Sequence, residues 1–160
     1  MKTLPIVLNN KKILLIGAGN VALQKAEVLD RNEIDFEIIS KKIEPQIKKH
    51  CSKCTEKEFE KRDVSDYEII IDATGNKEVS HSLLEYKKER NILINVVDQP
   101  KLCDFYFASL LEYGPLKIAV SSGGASPTIT QIIRDKIKRL IPKELEALTQ
   151  QKSKEREAGK

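Results

Sequence analysis

No tryptophan occurs in these 160 residues, and aromatic side chains of all kinds make up only 5% of them. Single-stranded nucleic acids are held on aromatic platforms interleaved with basic residues, and no such block is present. The formal charge of +4 and pI near 8.9 are mildly basic. A polyanionic small molecule answers that surplus as well as a nucleic acid does. No apolar run approaches the roughly 20 residues needed to cross a bilayer, and Met1 to Asn10 has no signal-peptide core. The expectation is a cytoplasmic protein that touches neither membrane nor nucleic acid. Three cysteines, an odd number, argue against a secreted disulfide framework. Neither a Gly-x-Ser-x-Gly elbow nor His-Glu-x-x-His is found, so no hydrolase signature is present. The stretch His50 to Cys54, HCSKC, invites a metal, but the second ligand pair of a structural zinc site is missing. His81 is distant in sequence and Cys103 stands alone. We therefore expect no metal site, and read Cys51 and Cys54, at helical spacing, as part of an ordinary helix.

What remains is a chain with 40% hydrophobic and 32% charged residues, ordinary for a globular domain with a small appendage. Short apolar runs alternate with helical patterns through its first two-thirds, which predicts a parallel sheet covered by helices. The strand candidates are Ile13 to Ile16, Phe36 to Ile39, Glu68 to Ala73 and Ile92 to Val97, with Lys57 to Arg62 as a weak edge strand. Helices are expected over Val21 to Leu29 and Ser80 to Lys88. After Phe105 the pattern changes. Tyr106 to Leu111 and Leu116 to Val120 flank Glu112-Tyr113-Gly114-Pro115, which predicts a hairpin. A helix follows, with Ser126 as N-cap, Pro127 in the first turn and Pro142 beyond its end. Ile129, Ile132, Ile133, Ile137, Leu140 and Ile141 form its apolar stripe, opposite Arg134, Asp135, Lys138 and Arg139. The fold class expected is α/β: a Rossmann-type parallel sheet with helices on both faces over 1–105, a hairpin-plus-helix dimerisation region over 106–142, and a charged helical tail over 143–160.

Lys11 to Ala22 reads KKILLIGAGNVA, a strand running into a Gly-x-Gly-x-x-Ala turn and a helix. Gly17 allows the tight turn, Gly19 lets the backbone approach a pyrophosphate, and Ala22 lets the helix pack on the sheet. Asn20 and Val21 open that helix, whose amides and partial positive charge suit a phosphate. The second strand ends in Ser40, then Lys41 and Lys42, where an NAD-binding chain usually carries an acid; Glu37 falls mid-strand. On chemistry alone this leaves NADP open, the two lysines being able to meet a 2′-phosphate, or simply to start the next helix. Thr74 and Gly75 are small residues at a strand end and candidates to line the cofactor, as is Val97, while Asp72 either shares that role or accepts turn hydrogen bonds. Asp98 stands just beyond the apolar strand Ile92 to Val97. Ligands of an open parallel sheet bind beyond the carboxyl ends of its strands, so Asp98 is the candidate for acid–base work. Desolvation beside a cofactor ring would raise its pKa; alternatively it caps the turn before Pro100. Asn95 either orients nearby groups or satisfies the strand. Ser121 to Gly124 precede a helix N-terminus and form either an anion site, with Arg134 and Lys138 further along, or a loop with an N-cap.

Three motifs in this order resemble one family. GAGNVALQKA at Gly17 to Ala26, NVVDQPKLCDF at Asn95 to Phe105 and VSSGGASP at Val120 to Pro127 are similar to the siroheme-synthase dehydrogenase family. Leu4-Pro5-Ile6 and the helix IRDKIKRLIP at Ile133 to Pro142 match it too. Its members are precorrin-2 dehydrogenases, some also sirohydrochlorin ferrochelatases, alone or fused to a methyltransferase. The resemblance implies NAD as cofactor, the tetrapyrrole precorrin-2 as substrate, ferrous iron where chelation occurs, and a homodimer. It implies that Asp98 accepts a proton, that Ser122, with Gly123 and Arg134, lies near the tetrapyrrole, and that the late basic residues meet substrate carboxylates. Two departures stand out. Ser40 replaces the acid, and the sequence ends at Lys160, which leaves out most of the family's C-terminal helical domain.

Overall fold

The computed structural model describes residues 11–142 and 144–159. The opening Leu4-Pro5-Ile6 and the basic residues Lys143 and Lys160 lie outside the described residues. Two compact units divide between Phe105 and Tyr106. The first contains β1 (Ile13–Ile16), α1 (Asn20–Arg31), β2 (Phe36–Ser40), α2 (Pro45–Lys48), β3 (Lys53–Glu56), β4 (Ile69–Asp72), α3 (Lys77–Glu89) and β5 (Leu93–Val96). Its strands form one parallel sheet in the order β3-β2-β1-β4-β5. The chain order reverses between β1 and β4, which makes that crevice the topological switch point.

Every residue of β1 and β4 is buried. Successive strand residues point to opposite faces, so burial of both Leu14 and Leu15 means that both faces are covered. One face packs Leu14, Ile16, Ile70, Ile94 and Val96 with Leu83 and Tyr86 of α3. Helix α1 buries Ala22, Ala26 and Leu29, and its fully buried alanines let its backbone come close to the sheet.

Two expectations are corrected. The edge strand is Lys53–Glu56, while the segment read as that strand holds a single 3₁₀ turn at Lys61–Val64. Pairing decides this: β3 lays Cys54 and Thr55 beside Ile38 and Ile39, burying part of a polar segment that has no periodic signal of its own. Cys51 and Cys54 are not helical. Helix α2 stops at Lys48, Cys51 lies in the following loop, Cys54 lies in β3, and the two are joined by a disulfide.

The second unit pairs β6 (Ser109–Tyr113) with β7 (Leu116–Val120), followed by α4 (Pro127–Leu140) and α5 (Leu145–Glu157). The hairpin turn is the two residues Gly114-Pro115, tighter than expected, because Tyr113 pairs with Leu116. Ser126 caps α4, accepting a hydrogen bond from the Ile129 amide at 3.2 Å. Only Thr130 of α4 is buried, and Ile129, Ile132, Ile133 and Leu140 stand exposed. Among the described residues, no helix is long and apolar enough to cross a membrane.

Of the glycines in the first unit, Gly17 is the one closely approached by another loop, and its φ of +100° favours glycine. A Cβ added there would stand 2.7 Å from the Ala73 carbonyl oxygen. Gly17→Ala therefore combines backbone strain with a clash against rigid backbone, and is expected to cost roughly 2–4 kcal/mol. Urea denaturation of the variant checks this, and a midpoint equal to wild type would refute it.

Candidate functional site

The turn after β1 leads directly into α1. Gly19 is its N-cap, in extended conformation, and no side chain caps the helix. The first amides of a helix have no partner within it, so Asn20, Val21 and Ala22 present N–H donors. The first turn carries no acid to compete for them. A Cβ on Gly19 would meet nothing within 4 Å, whereas Gly17 is packed solid. The two glycines thus do different work, one admitting the neighbouring loop and the other leaving space in front of the helix. A dinucleotide pyrophosphate fits this donor set by charge and by shape.

Next to it, β2 ends at Ser40, whose carbonyl accepts from the Lys57 amide at 2.9 Å. Lys41 pairs with Glu58 at 2.7 Å and Lys42 with Glu44 at 2.6 Å. Glu37 is committed elsewhere. Burial pushes its carboxyl up, but hydrogen bonds from Tyr67 and Lys53, with the Lys53 and Lys12 charges, hold it below the usual carboxylate range.

On the other side of β1, the β4 end is organised by Asp72, which is 1% exposed. Its Oδ1 accepts from the Thr74 amide at 3.0 Å and the Thr74 hydroxyl at 2.7 Å, and its Oδ2 from the Ser80 hydroxyl at 2.6 Å. The turn-acceptor reading of Asp72 is therefore what the geometry displays, since a buried carboxylate must find donors. Thr74 is oriented by this bond and in turn accepts from the Asn76 amide. Gly75 follows with φ +66° and open space at its Cβ position. The Val97 amide donates to the Asp72 carbonyl at 2.9 Å, which ties β5 to the same end of the sheet.

Asp98 comes next, with φ +67°. Aspartate and asparagine tolerate this left-handed conformation better than most residues. The side chain is exposed and has no hydrogen-bond partner among the described residues. It does not cap the turn before Pro100. What holds its turn is the remainder of the motif. Cys103 Sγ accepts from the Val96 amide at 3.3 Å and Asn95 Nδ2 at 3.5 Å, and donates to the Val96 carbonyl at 3.2 Å. Asn95 Nδ2 also donates to the Phe105 carbonyl at 2.8 Å, so Asn95 fastens the chain beyond the turn rather than orienting a ligand. Asp104 continues the pairing: its amide donates to the Ile94 carbonyl, its Oδ2 accepts from the Ile94 amide, and Lys87 pairs with its Oδ1. The free edge of β5 is thereby covered by its own continuation.

In the second unit, Ser122 Oγ accepts from the Ser126 amide at 2.9 Å, and Ser121 Oγ accepts from the Gly123 amide at 3.1 Å. A Cβ on Gly124 would stand 2.9 Å from the Tyr106 ring. Arg134 is engaged by Asp135 at 2.7 Å. The loop is thus a capped helix entry whose serine hydroxyls are bonded internally.

Sequence reasoning missed the latch formed by Cys103 and the bond from Ser80 to Asp72, although it had offered Asp72 as a turn acceptor. Burial pushes the Cys103 thiol above its ordinary pKa, with the Val96 amide and Lys25 opposing this and the Asp104 charge adding to it. Burial likewise lowers the Lys25 ammonium, against the attraction of Cys103. A raised pKa means less thiolate at a given pH, so alkylation of Cys103 by iodoacetamide should lag behind a free cysteine at pH 8. Its rate midpoint should fall at higher pH than that of the free thiol, and a midpoint at or below the free value would contradict the latch geometry.

Residues 4–109 match the family described as putative NAD(P)-binding, and residues 114–140 match sirohaem biosynthesis protein central. Among curated relatives, Siroheme synthase 2 of Aeromonas salmonicida (strain A449) is 31% identical over 155 residues, 96% of this chain and 32% of that protein. Siroheme synthase of Methylobacillus flagellatus is 32% identical over 148 residues, 89% of this chain and 32% of that protein. The chain thus spans about a third of the length of these relatives. Among solved structures, SirC, precorrin-2 dehydrogenase, superposes with a TM-score of 0.74 at 19% identity, covering 94% of this chain and 76% of the other. That likeness confirms the Rossmann-type architecture. With the glycine turn, the sheet order and the family match in agreement, the chain belongs to the family described as putative NAD(P)-binding.

Proposed function

We propose that the chain is an NAD-dependent dehydrogenase that oxidises precorrin-2 to sirohydrochlorin, working in the cytoplasm as a homodimer. The observation that carries this reading is the placement of the glycine turn and Asp98 beyond the same end of one parallel sheet. Only β4 lies between β1 and β5, so the two strand ends are separated by about 10 Å, two strand spacings. The relatives named siroheme synthase and the neighbour named precorrin-2 dehydrogenase support the choice of substrate.

Bound NAD supplies the hydride acceptor. The amides of Asn20, Val21 and Ala22 would hold its pyrophosphate, with Gly17 and Gly19 shaping the approach. Ser40 would meet the ribose, and Thr74, Gly75 and Val97 would line the remainder. Lys41 and Lys42 are already paired with Glu58 and Glu44, so a 2′-phosphate would have to compete for them, which favours NAD over NADP. Precorrin-2 loses two hydrogens in this reaction, one as hydride and one as a proton. Asp98, unpartnered among the described residues, accepts the proton. Ser122, Gly123 and Arg134 are proposed to meet substrate carboxylates. The same free carboxylate favours a second reading, insertion of ferrous iron into sirohydrochlorin with Asp98 taking the pyrrole protons, which needs no nicotinamide.

An anaerobic assay with precorrin-2 and either NAD or NADP, following sirohydrochlorin absorbance, tests the proposal. Asp98→Asn keeps a residue that tolerates the left-handed backbone while removing the base. It is expected to lower kcat about 100-fold or more and leave nucleotide affinity unchanged. Full activity in that variant would remove Asp98 from catalysis, whereas nucleotide binding without turnover in the wild type would point instead to a non-catalytic nucleotide sensor.

The homodimer rests on α4. Ile129 and Leu140 are 58% and 82% exposed on one amphipathic helix, with Ile132 and Ile133 between them. An apolar stripe of this size on a soluble helix marks a contact surface. Ile132→Asp is expected to convert the dimer to a monomer in sedimentation velocity, and an unchanged dimer would place the contact elsewhere.

A further inference from the structure

The disulfide between Cys51 and Cys54 has no part in the dehydrogenase reading, and its surroundings show that it is not a staple. It closes a ring of only four residues, a span that restrains the unfolded chain little. The turn it spans is already held without it. Ser52 donates both its amide and its hydroxyl to the Phe36 carbonyl, at 3.1 and 2.8 Å. Lys48 pairs with Glu56 at 2.7 Å across the same turn, and His50 Nδ1 meets Asp30 Oδ2 at 2.6 Å. Strand β3 keeps its ladder to β2 from Lys53 to Glu56. These contacts keep the two cysteines within bridging range, Cα to Cα 6.4 Å, whether or not the sulfurs are joined.

We propose that Cys51 and Cys54 form a thiol–disulfide exchange site for low-molecular-weight disulfides. Both cysteines are only partly buried, so small thiols and disulfides reach them. Lys49, exposed and paired with no acid among the described residues, places a positive charge two residues before Cys51. Cys51 lies outside the strand ladder and is the residue free to meet an external sulfur, while Cys54 is held in β3. In the oxidising direction, the Cys51 thiolate attacks one sulfur of the small disulfide. This forms a mixed disulfide and expels one thiolate. The Cys54 thiolate then attacks Cys51 Sγ, closing the intrachain bond and expelling the second thiolate. Two electrons pass from the protein dithiol to the external disulfide, and the two thiol protons end on the released thiols. The pre-held turn favours the second step over survival of the mixed disulfide. A pair of this kind, outside any disulfide framework, belongs to the exchanging class rather than the structural one.

The test equilibrates the full chain with glutathione buffers of graded reduced-to-oxidised ratio, then quenches and quantifies the peptide carrying both cysteines by mass spectrometry. The expected result is a reversible transition from dithiol to intrachain disulfide within the range of ratios used. The wild-type mixed disulfide should stay below one-tenth of the total. In Cys54→Ser, where ring closure is impossible, glutathione should accumulate on Cys51 at least fivefold above wild type. A bond that resists reduction at every ratio would make it a structural staple, and a pair that stays reduced at every ratio would make the bond chemically irrelevant. Either result, or equal mixed disulfide in wild type and Cys54→Ser, would overturn the proposal.

Discussion

The arrangement of the nucleotide end depends on one close approach, that of the Gly17 backbone to the peptide between Ala73 and Thr74. No side chain fits between them, because the first atom of one would lie 2.7 Å from the Ala73 oxygen. The contact brings the loop leaving β1 against the loop leaving β4 at the point where strand order reverses. The Ala73 amide donates to the Ile16 carbonyl and the Gly17 amide to the Ile39 carbonyl, so three strand ends are gathered around one glycine.

Around this contact the polar groups divide into those that are spent and those that are available. Asp72 is spent, accepting three hydrogen bonds that shape the β4 loop. Asn95, Cys103 and Asp104 are spent on closing the turn after β5. The opening amides of α1 and the carboxylate of Asp98 remain available. This division has a physical origin. Buried polar groups must be paired, so chemistry is left to groups that stand at the surface of a rigid frame. The left-handed backbone at Asp98 fits the same picture, a mildly costly conformation maintained by the pairing on either side of it.

Charge is balanced along the edge of the sheet. Lys41, Lys42 and Lys48 each meet a glutamate, from residues 44 to 58, and Lys53 meets Glu37. These pairs are exposed and individually worth little in stability. Their effect is local neutrality at the end of β2, where unpaired lysines would attract a phosphate. The disulfide lies on the same edge, at the amino end of β3, away from the carboxyl ends that carry the nucleotide turn.

The sequence by itself determined the elements whose signals are local. The apolar quartet of β1 and the three isoleucines of β4, the glycine turn into α1, the two-strand hairpin and the Ser126-Pro127 start of α4 all follow from spacings of a few residues. Those spacings set backbone preference and first-turn capping before any distant contact forms. Tertiary structure alone decided the rest. Strand β3 exists because β2 offers it an edge, since the segment KCTE has no periodicity to announce it. The true constraint on Gly17 comes from Ala73, remote along the chain, and Asp72 is a hub because the fold brings Ser80 to its second oxygen. The two cysteines misread as helical were joined once α2 stopped at Lys48 and β3 began at Lys53. In each case the deciding partner lies on another element, and local propensity carries no information about which element will arrive there.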